Sequence, residues 1–165
     1  MRRTVCCLVI AALASQLTGC GFVVVHTAKK AYRELTKDER DIEYALNRYR
    51  FLTTQGEFDK AAEMFDQGAE LSKDGQAPVI GREAIRASFK SAAGLKVVDF
   101  ELTATSTSAS GAKGTQQGTY HQRVKSPEGE IVDADGSFEA EWSQQVGGAW
   151  LLHRMHTSAK LANGG

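Results

Sequence analysis

Behind Thr36, apolar residues recur at helical spacing, with Ile42, Ala45, Leu46, Tyr49 and Leu52 on one stripe. In front of that stripe, Thr36-Lys37-Asp38-Glu39 is a capping box: the threonine hydroxyl takes an amide of the first turn while Glu39 reaches back. The pattern predicts a first helix to about Gln55, stopped by Gly56. A second, short helix from Glu57 is predicted to bury Phe58, Ala61, Ala62 and Phe65, with Gly68 closing it in the left-handed conformation. Residues 69–73 and 77–80 flank Asp74-Gly75, a turn signal, and read as a hairpin. Gly81 opens a third helix carrying Ile85 and Phe89, and Gly94 ends it.

From Leu95 the period changes to two. Val98, Phe100, Leu102 and Ala104 alternate with Asp99, Glu101 and Thr103. A Ser/Thr/Gly-rich stretch, residues 106–114, reads as a turn into a strand with Gly118, Tyr120, Gln122 and Val124 on one face. Ser126-Pro127-Glu128-Gly129 turns the chain again. The next strand sets Val132, Ala134, Gly136, Phe138, Ala140 and Trp142 against Asp133, Asp135, Ser137, Glu139 and Glu141. Gly147-Gly148 makes the last turn, residues 149–157 the last strand, and residues 160–165 a loose tail. Helices followed by a meander of alternating strands imply an α+β domain, with helices packed on one face of a curved, mainly antiparallel sheet.

The N-terminus follows other rules. Met1-Arg2-Arg3 is a positive start, residues 5–13 are apolar, and Ala14, Ser15 and Gln16 are small or polar, which is the layout of a secretory signal peptide. Its end, Leu17-Thr18-Gly19-Cys20, resembles the lipobox of bacterial lipoproteins. The resemblance implies cleavage before Cys20 and fatty acylation of its sulfur, palmitate being a typical chain. Two acyl chains satisfy the two-signal requirement for stable anchoring. The alternatives are a free thiol at Cys20 behind a coincidental Leu-Thr-Gly, and a membrane-spanning anchor, since residues 5–25 carry no charge, though the basic residues on its two sides compete to orient it. The lipobox reading divides the chain into a signal peptide (1–19), a lipidated Cys20 with tether (20–35), a folded domain (36–159) and the tail. It makes the membrane the first partner and places the domain in the cell envelope, facing away from the cytoplasm. Gly21, where aspartate would retain such a protein at the inner membrane, favours the outer membrane in a Gram-negative cell.

Composition narrows the function classes. Apolar residues at 42% and charged ones at 24% are ordinary globular usage, so disorder throughout is excluded. Twenty basic residues balance twenty acidic ones, with no basic cluster, so nucleic acid is not an expected partner. All three cysteines, Cys6, Cys7 and Cys20, precede the domain, which therefore has no disulfide or cysteine zinc site.

Two helices, a short hairpin, "GREAIRASF", and strands ending "GSFEAEWSQQVGGAWLLHRMH" resemble the cone-shaped superfamily of nuclear transport factor two, in its SnoaL-like and ketosteroid-isomerase-like branch. The resemblance covers roughly residues 40–158. It implies a cone-shaped sheet with helices on its concave side, and admits a homodimer through the outer sheet face. In the isomerases it implies a helix tyrosine seven residues before a glycine, matched by Tyr49 and Gly56; a carboxylate base, where Lys73 stands; and a protonated aspartate two residues before a phenylalanine. That phenylalanine matches Phe138, and Gly136 occupies the acid position. Two of the three groups are missing, which argues against isomerase chemistry.

The remaining candidates belong to a pocket rather than to a reaction. Tyr49, Phe65, Phe89, Phe100, Tyr120, Gln122, Phe138 and Trp142 are the candidate lining residues. Small Ala134, Gly136 and Ala140 beside Phe138 and Trp142 suit either close helix packing or a cavity. His153 and His156 fall on opposite faces of a strand, and His121 has no second ligand at metal spacing, so no metal site is expected. The acidic row from Asp133 to Glu141 reads as solvated or paired, with Arg123 and Lys125 at hand. There is no phosphate loop or serine elbow, and no cofactor is expected. The leading expectation is a non-catalytic envelope lipoprotein that binds a small apolar ligand, or associates with itself or other envelope proteins. The alternative is an isomerase-, cyclase- or dehydratase-type enzyme acting on a hydrophobic carbonyl compound. Replacing the acylated sulfur tests the first part: Cys20→Ser is expected to leave the leader uncut and the chain out of the acylated membrane fraction. Unchanged processing and membrane fractionation contradict it.

Overall fold

The computed structural model describes residues 34–92 and 94–159. The expected signal peptide, Cys20, most of the expected tether and the expected tail lie outside the described residues. Helix α1 spans Lys37–Thr54, α2 Phe58–Glu63 and α3 Arg82–Ser91. The strands are β1 Phe65–Lys73, β2 Val79–Ile80, β3 Lys96–Ser110, β4 Lys113–Lys125, β5 Ile131–Gln144 and β6 Trp150–Ala159. They form one sheet in the order β2-β1-β6-β5-β4-β3, parallel only between β1 and β6. The fold is α+β, with the helices against the concave face of a curved sheet.

The capping box forms as its chemistry requires. Thr36 N–H donates to Glu39 Oε2 at 2.8 Å, and Glu39 N–H donates to Thr36 Oγ1 at 3.3 Å. Ile42, Ala45, Leu46, Tyr49 and Leu52 are all buried, so the α1 stripe is the face laid into the sheet. Phe65 opens β1 instead of closing α2, and Gly68 lies inside that strand without the left-handed backbone. A lone phenylalanine after Ala61 and Ala62 fits either period, and β1's pairing with β6 decides it. The stretch expected to be a turn at residues 106–114 is mostly strand. Its serines and threonines are the arms of a long hairpin that reverses only at Gly111 and Ala112.

Sheet curvature follows from bulges and from side-chain volume. Val98 and Thr105 are extra residues of β3 against β4, and each local shift bends the strand. Because Val98 is the extra residue, Val97 turns to the core and Val98 is left 45% exposed, reversing the sequence expectation. Between β4 and β5 nearly every inward rung sets a large residue against a small one. The pairs are Gly114 with Trp142, Gln116 with Ala140, Gly118 with Phe138, Tyr120 with Gly136, and Gln122 with Ala134.

The glycines of these rungs are required by close approach. A Cβ on Gly118 would overlap the Thr103 carbonyl oxygen and lie 2.6 Å from Phe138 Cε1. A Cβ on Gly114 would overlap Ile42 Cδ1, so that glycine admits α1 to the sheet. Gln116, only 1% exposed, donates from Nε2 to Thr107 Oγ1 at 3.1 Å, and Thr107 Oγ1 donates to Glu43 of α1 at 3.3 Å. This polar link pins α1 across β3 and β4. Gly118→Ala is expected to destabilise the domain by about 1–3 kcal/mol through overpacking. Gly68→Ala, where a Cβ meets nothing within 4 Å, is the control and should be neutral or slightly stabilising in the same urea titration.

Candidate functional site

Tyr49, Phe65 and Phe100 meet edge to face, with ring centroids 5.5 Å apart for Tyr49–Phe65 and 6.2 Å for Tyr49–Phe100. Phe89 of α3 continues the cluster at 6.2 Å from both Phe58 and Phe65. Above this floor the sheet and helices enclose a cavity of about 220 Å³. The concave residues of β4 divide the cup. Toward Gly114 it is solid, filled by Trp142, Phe138, Ile42 and Leu152; toward Gln122 and Val124 it is hollow.

Of the candidate residues, Tyr49, Phe89, Phe100, Tyr120 and Gln122 line the cavity. Phe65, Phe138 and Trp142 lie in the solid core beneath it, among its most buried side chains. Lys73 and Thr157, at the ends of parallel β1 and β6, complete the rim with Leu95 and Val97. Among the described residues, no aspartate, glutamate or histidine contributes to the lining. Burial pushes the Tyr49 phenol up to about 12, and its hydrogen bond with Thr53 only partly offsets that. Burial also raises the Tyr120 phenol, with the negative charges of Asp135 and Asp74 adding to the effect. Both phenols are therefore neutral donors at physiological pH. Among the described residues, Lys73, the Tyr120 hydroxyl and the Gln122 carboxamide have no protein hydrogen-bond or ion-pair partner. Three unpartnered polar groups thus share one mainly apolar cup.

The position matching the isomerases' protonated acid is closed. A side chain at Gly136 would run into the Ser158 carbonyl oxygen and the Tyr120 ring, whose Cε1 would be 2.6 Å from its Cβ. Lys73 is the residue that the sequence resemblance sets at the base position. A lysine takes a proton from carbon only when burial drives the ammonium toward neutrality, and Lys73 is exposed.

The outer face carries the remaining chemistry-bearing residues. Arg123 pairs with Asp133 at 2.7 Å and holds that carboxyl below the usual range. His121 meets Asp135 at 2.8 Å, and Arg154 lies 3.8 Å from Glu141. Ser72 and Asp74 bracket His156 at 3.0 and 3.1 Å, while Asp66 accepts from Ser143 at 3.0 Å and meets His153 at 2.8 Å. His153 is the extra residue of a bulge in β6, so the two histidines serve acids at opposite ends of β1 rather than a common ion. Sequence spacing could not have found the Ser72–His156–Asp74 chain, whose members lie 82 and 84 positions apart until β1 and β6 pair. It ties the β1–β2 turn to β6. An open trough of about 540 Å³ crosses this face between Glu101, Thr103, Thr119, His121, Asp135 and Ser137. It is larger than the inner cavity but more open to solvent, and the enclosure that suits small-molecule binding belongs to the cup.

No family model and no curated protein sequence matches the chain. Solved structures do match. A ketosteroid isomerase-like protein from Erwinia carotovora atroseptica superposes with a TM-score of 0.68 at 13% identity, over 76% of this chain and 98% of that one. An NTF2-like protein with a cystatin-like fold from Novosphingobium aromaticivorans gives 0.60 at 19% identity, over 77% and 84%. A candidate aromatic ring hydroxylase from the same species gives 0.66 at 16% identity, over 78% and 93%. These likenesses establish the fold.

Tyr49 also makes a pH prediction. Its phenol ionises near 10 in the unfolded chain and about 12 in the folded one, so its contribution is complete below pH 10 and lost as pH rises toward 12. Urea midpoints should fall across that window, by on the order of 2–3 kcal/mol from this residue. Tyr49→Phe should flatten the decline. An equal slope in both proteins contradicts the burial of this hydroxyl.

Proposed function

We propose that this protein is a lipid-anchored envelope protein whose cone-shaped domain binds a small apolar molecule without transforming it. The observation that carries the reading is the cavity lining: hydrogen-bond donors and hydrocarbon, with no carboxylate or imidazole. Such a site recognises an acceptor on an apolar body, because a carbonyl or carboxylate oxygen satisfies donors that are otherwise costly to shield from water. The filled space at Gly136 supports binding over proton transfer, since the second acid of an isomerase has nowhere to stand.

The lipobox at Cys20 supports the envelope location, and acylation there would hold the cup at a membrane surface. Self-association through the outer face is the less favoured activity. Asp133 and Asp135 are held by Arg123 and His121 within one copy, so these groups offer a second copy no unpaired charge. The enzymatic reading draws on one observation, the presence of Lys73 and two tyrosines around a single cavity.

Mass spectrometry of the protein purified from membranes of its own host should recover an unmodified apolar compound with the native chain. Ala134→Phe, which fills the hollow end, should lose it while keeping the far-UV spectrum. Release of a chemically altered product on incubation with that compound contradicts the binding reading in favour of catalysis.

A further inference from the structure

Among the described residues, Lys73 is the only charged one in the cavity lining. It shares the inward face of β1 with Ala69 and Leu71, while Glu70 and Ser72 face outward. The acid beside it in sequence, Asp74, is taken by His156 at 3.1 Å. No described carboxylate pairs with the Lys73 ammonium. The other rim residues of the lining are apolar or neutral, Leu95, Val97, Val124 and Thr157, while the Asp74 and Asp135 charges act on Tyr120 from outside the lining. Deeper in the cup stand the unpartnered Tyr120 hydroxyl and Gln122 carboxamide, and at its floor Tyr49 and Phe100. One unneutralised cation at the mouth of an apolar cup is a directional feature, because it distinguishes the two ends of a bound molecule.

We propose, resting on the binding reading above, that the ligand is a small amphipathic monoanion whose carboxylate sits at Lys73 and whose hydrocarbon body lies in the cup. The charge term comes from the ammonium, a flexible point charge suited to one anionic head. The cavity volume of about 220 Å³ is below the roughly 300–1,000 Å³ of drug-sized pockets, which limits the body to a short chain or a single ring. Gln122 and Tyr120 donate to any further acceptor on that body. Lys73 is thus a specificity determinant rather than a base.

Isothermal titration calorimetry of the full chain with octanoate, octan-1-ol and octylammonium tests this. Octanoate should bind at least tenfold more tightly than octan-1-ol, and octylammonium should bind most weakly. Lys73→Met should erase the preference for octanoate over octan-1-ol. Lys73→Glu should reverse the order in favour of octylammonium. Because Lys73 is exposed at a strand end, neither change should alter the folded spectrum. Equal affinity for octanoate and octan-1-ol in the unaltered chain overturns the anionic-head proposal and leaves the binding reading standing. Absence of binding by all three probes, with Ala134→Phe also without effect on ligand recovery, overturns both.

Discussion

The rungs between β4 and β5 set where this molecule is solid and where it is hollow. Gly114, Gly118 and Gly136 each face an aromatic ring across the ladder, and two of them also face a backbone carbonyl at a distance no Cβ tolerates. Glycine normally weakens a strand because it has no side chain to pack and loses much backbone freedom on folding. Here the opposing ring covers the strand, and the missing Cβ lets Ile42 of α1 sit directly on β4. The sheet therefore closes tightly around Trp142 and Phe138. Past Tyr120 the rungs become Gln122 with Ala134 and Val124 with Val132, too small or too polar to fill the wider end. The cavity results from that change in volume along two strands.

The chemistry of the cup follows from which groups the sheet turns inward. Acids alternate onto the outer face, where Asp133 and Asp135 meet Arg123 and His121. The inner face keeps neutral donors, with one ammonium at the mouth. A proton-transfer site needs groups whose environments drive their affinities for protons apart. Two phenols raised in the same direction and an exposed lysine do not supply that separation. They do supply an oriented set of donors for a molecule with an acceptor at one end.

Much of this was legible in the chain because local physics and the fold agree. The capping box, the α1 stripe and the six-residue alternation from Val132 to Trp142 each encode one element without outside help. The α+β class and the cone follow from their order. Elements decided by distant partners were not legible. Phe65 belongs to β1 because Leu152 pairs with it, and Val98 faces solvent because a bulge shifts the register by one residue. The serine and threonine content of residues 106–114 resembles a loop, but those residues pair rung by rung with β4. For the candidate site, Tyr49, Tyr120, Gln122 and Lys73 could be named from the sequence; that Asp74 turns to His156 required the parallel pairing of β1 with β6. The division of the aromatic residues between cavity and solid core depended on those rungs as well.

The dependence of packing on the rung glycines is open to a double-mutant cycle at Gly114 and Ile42. Ile42→Val removes Cδ1, the atom that a Cβ on Gly114 would strike, at a cost of about 0.5–1.5 kcal/mol on its own. If the glycine exists to admit that atom, Gly114→Ala combined with Ile42→Val will cost at least about 1 kcal/mol less than the two single changes added together. Losses that add to within about 0.5 kcal/mol would contradict it, and with it the account of why one end of the cup is filled and the other open.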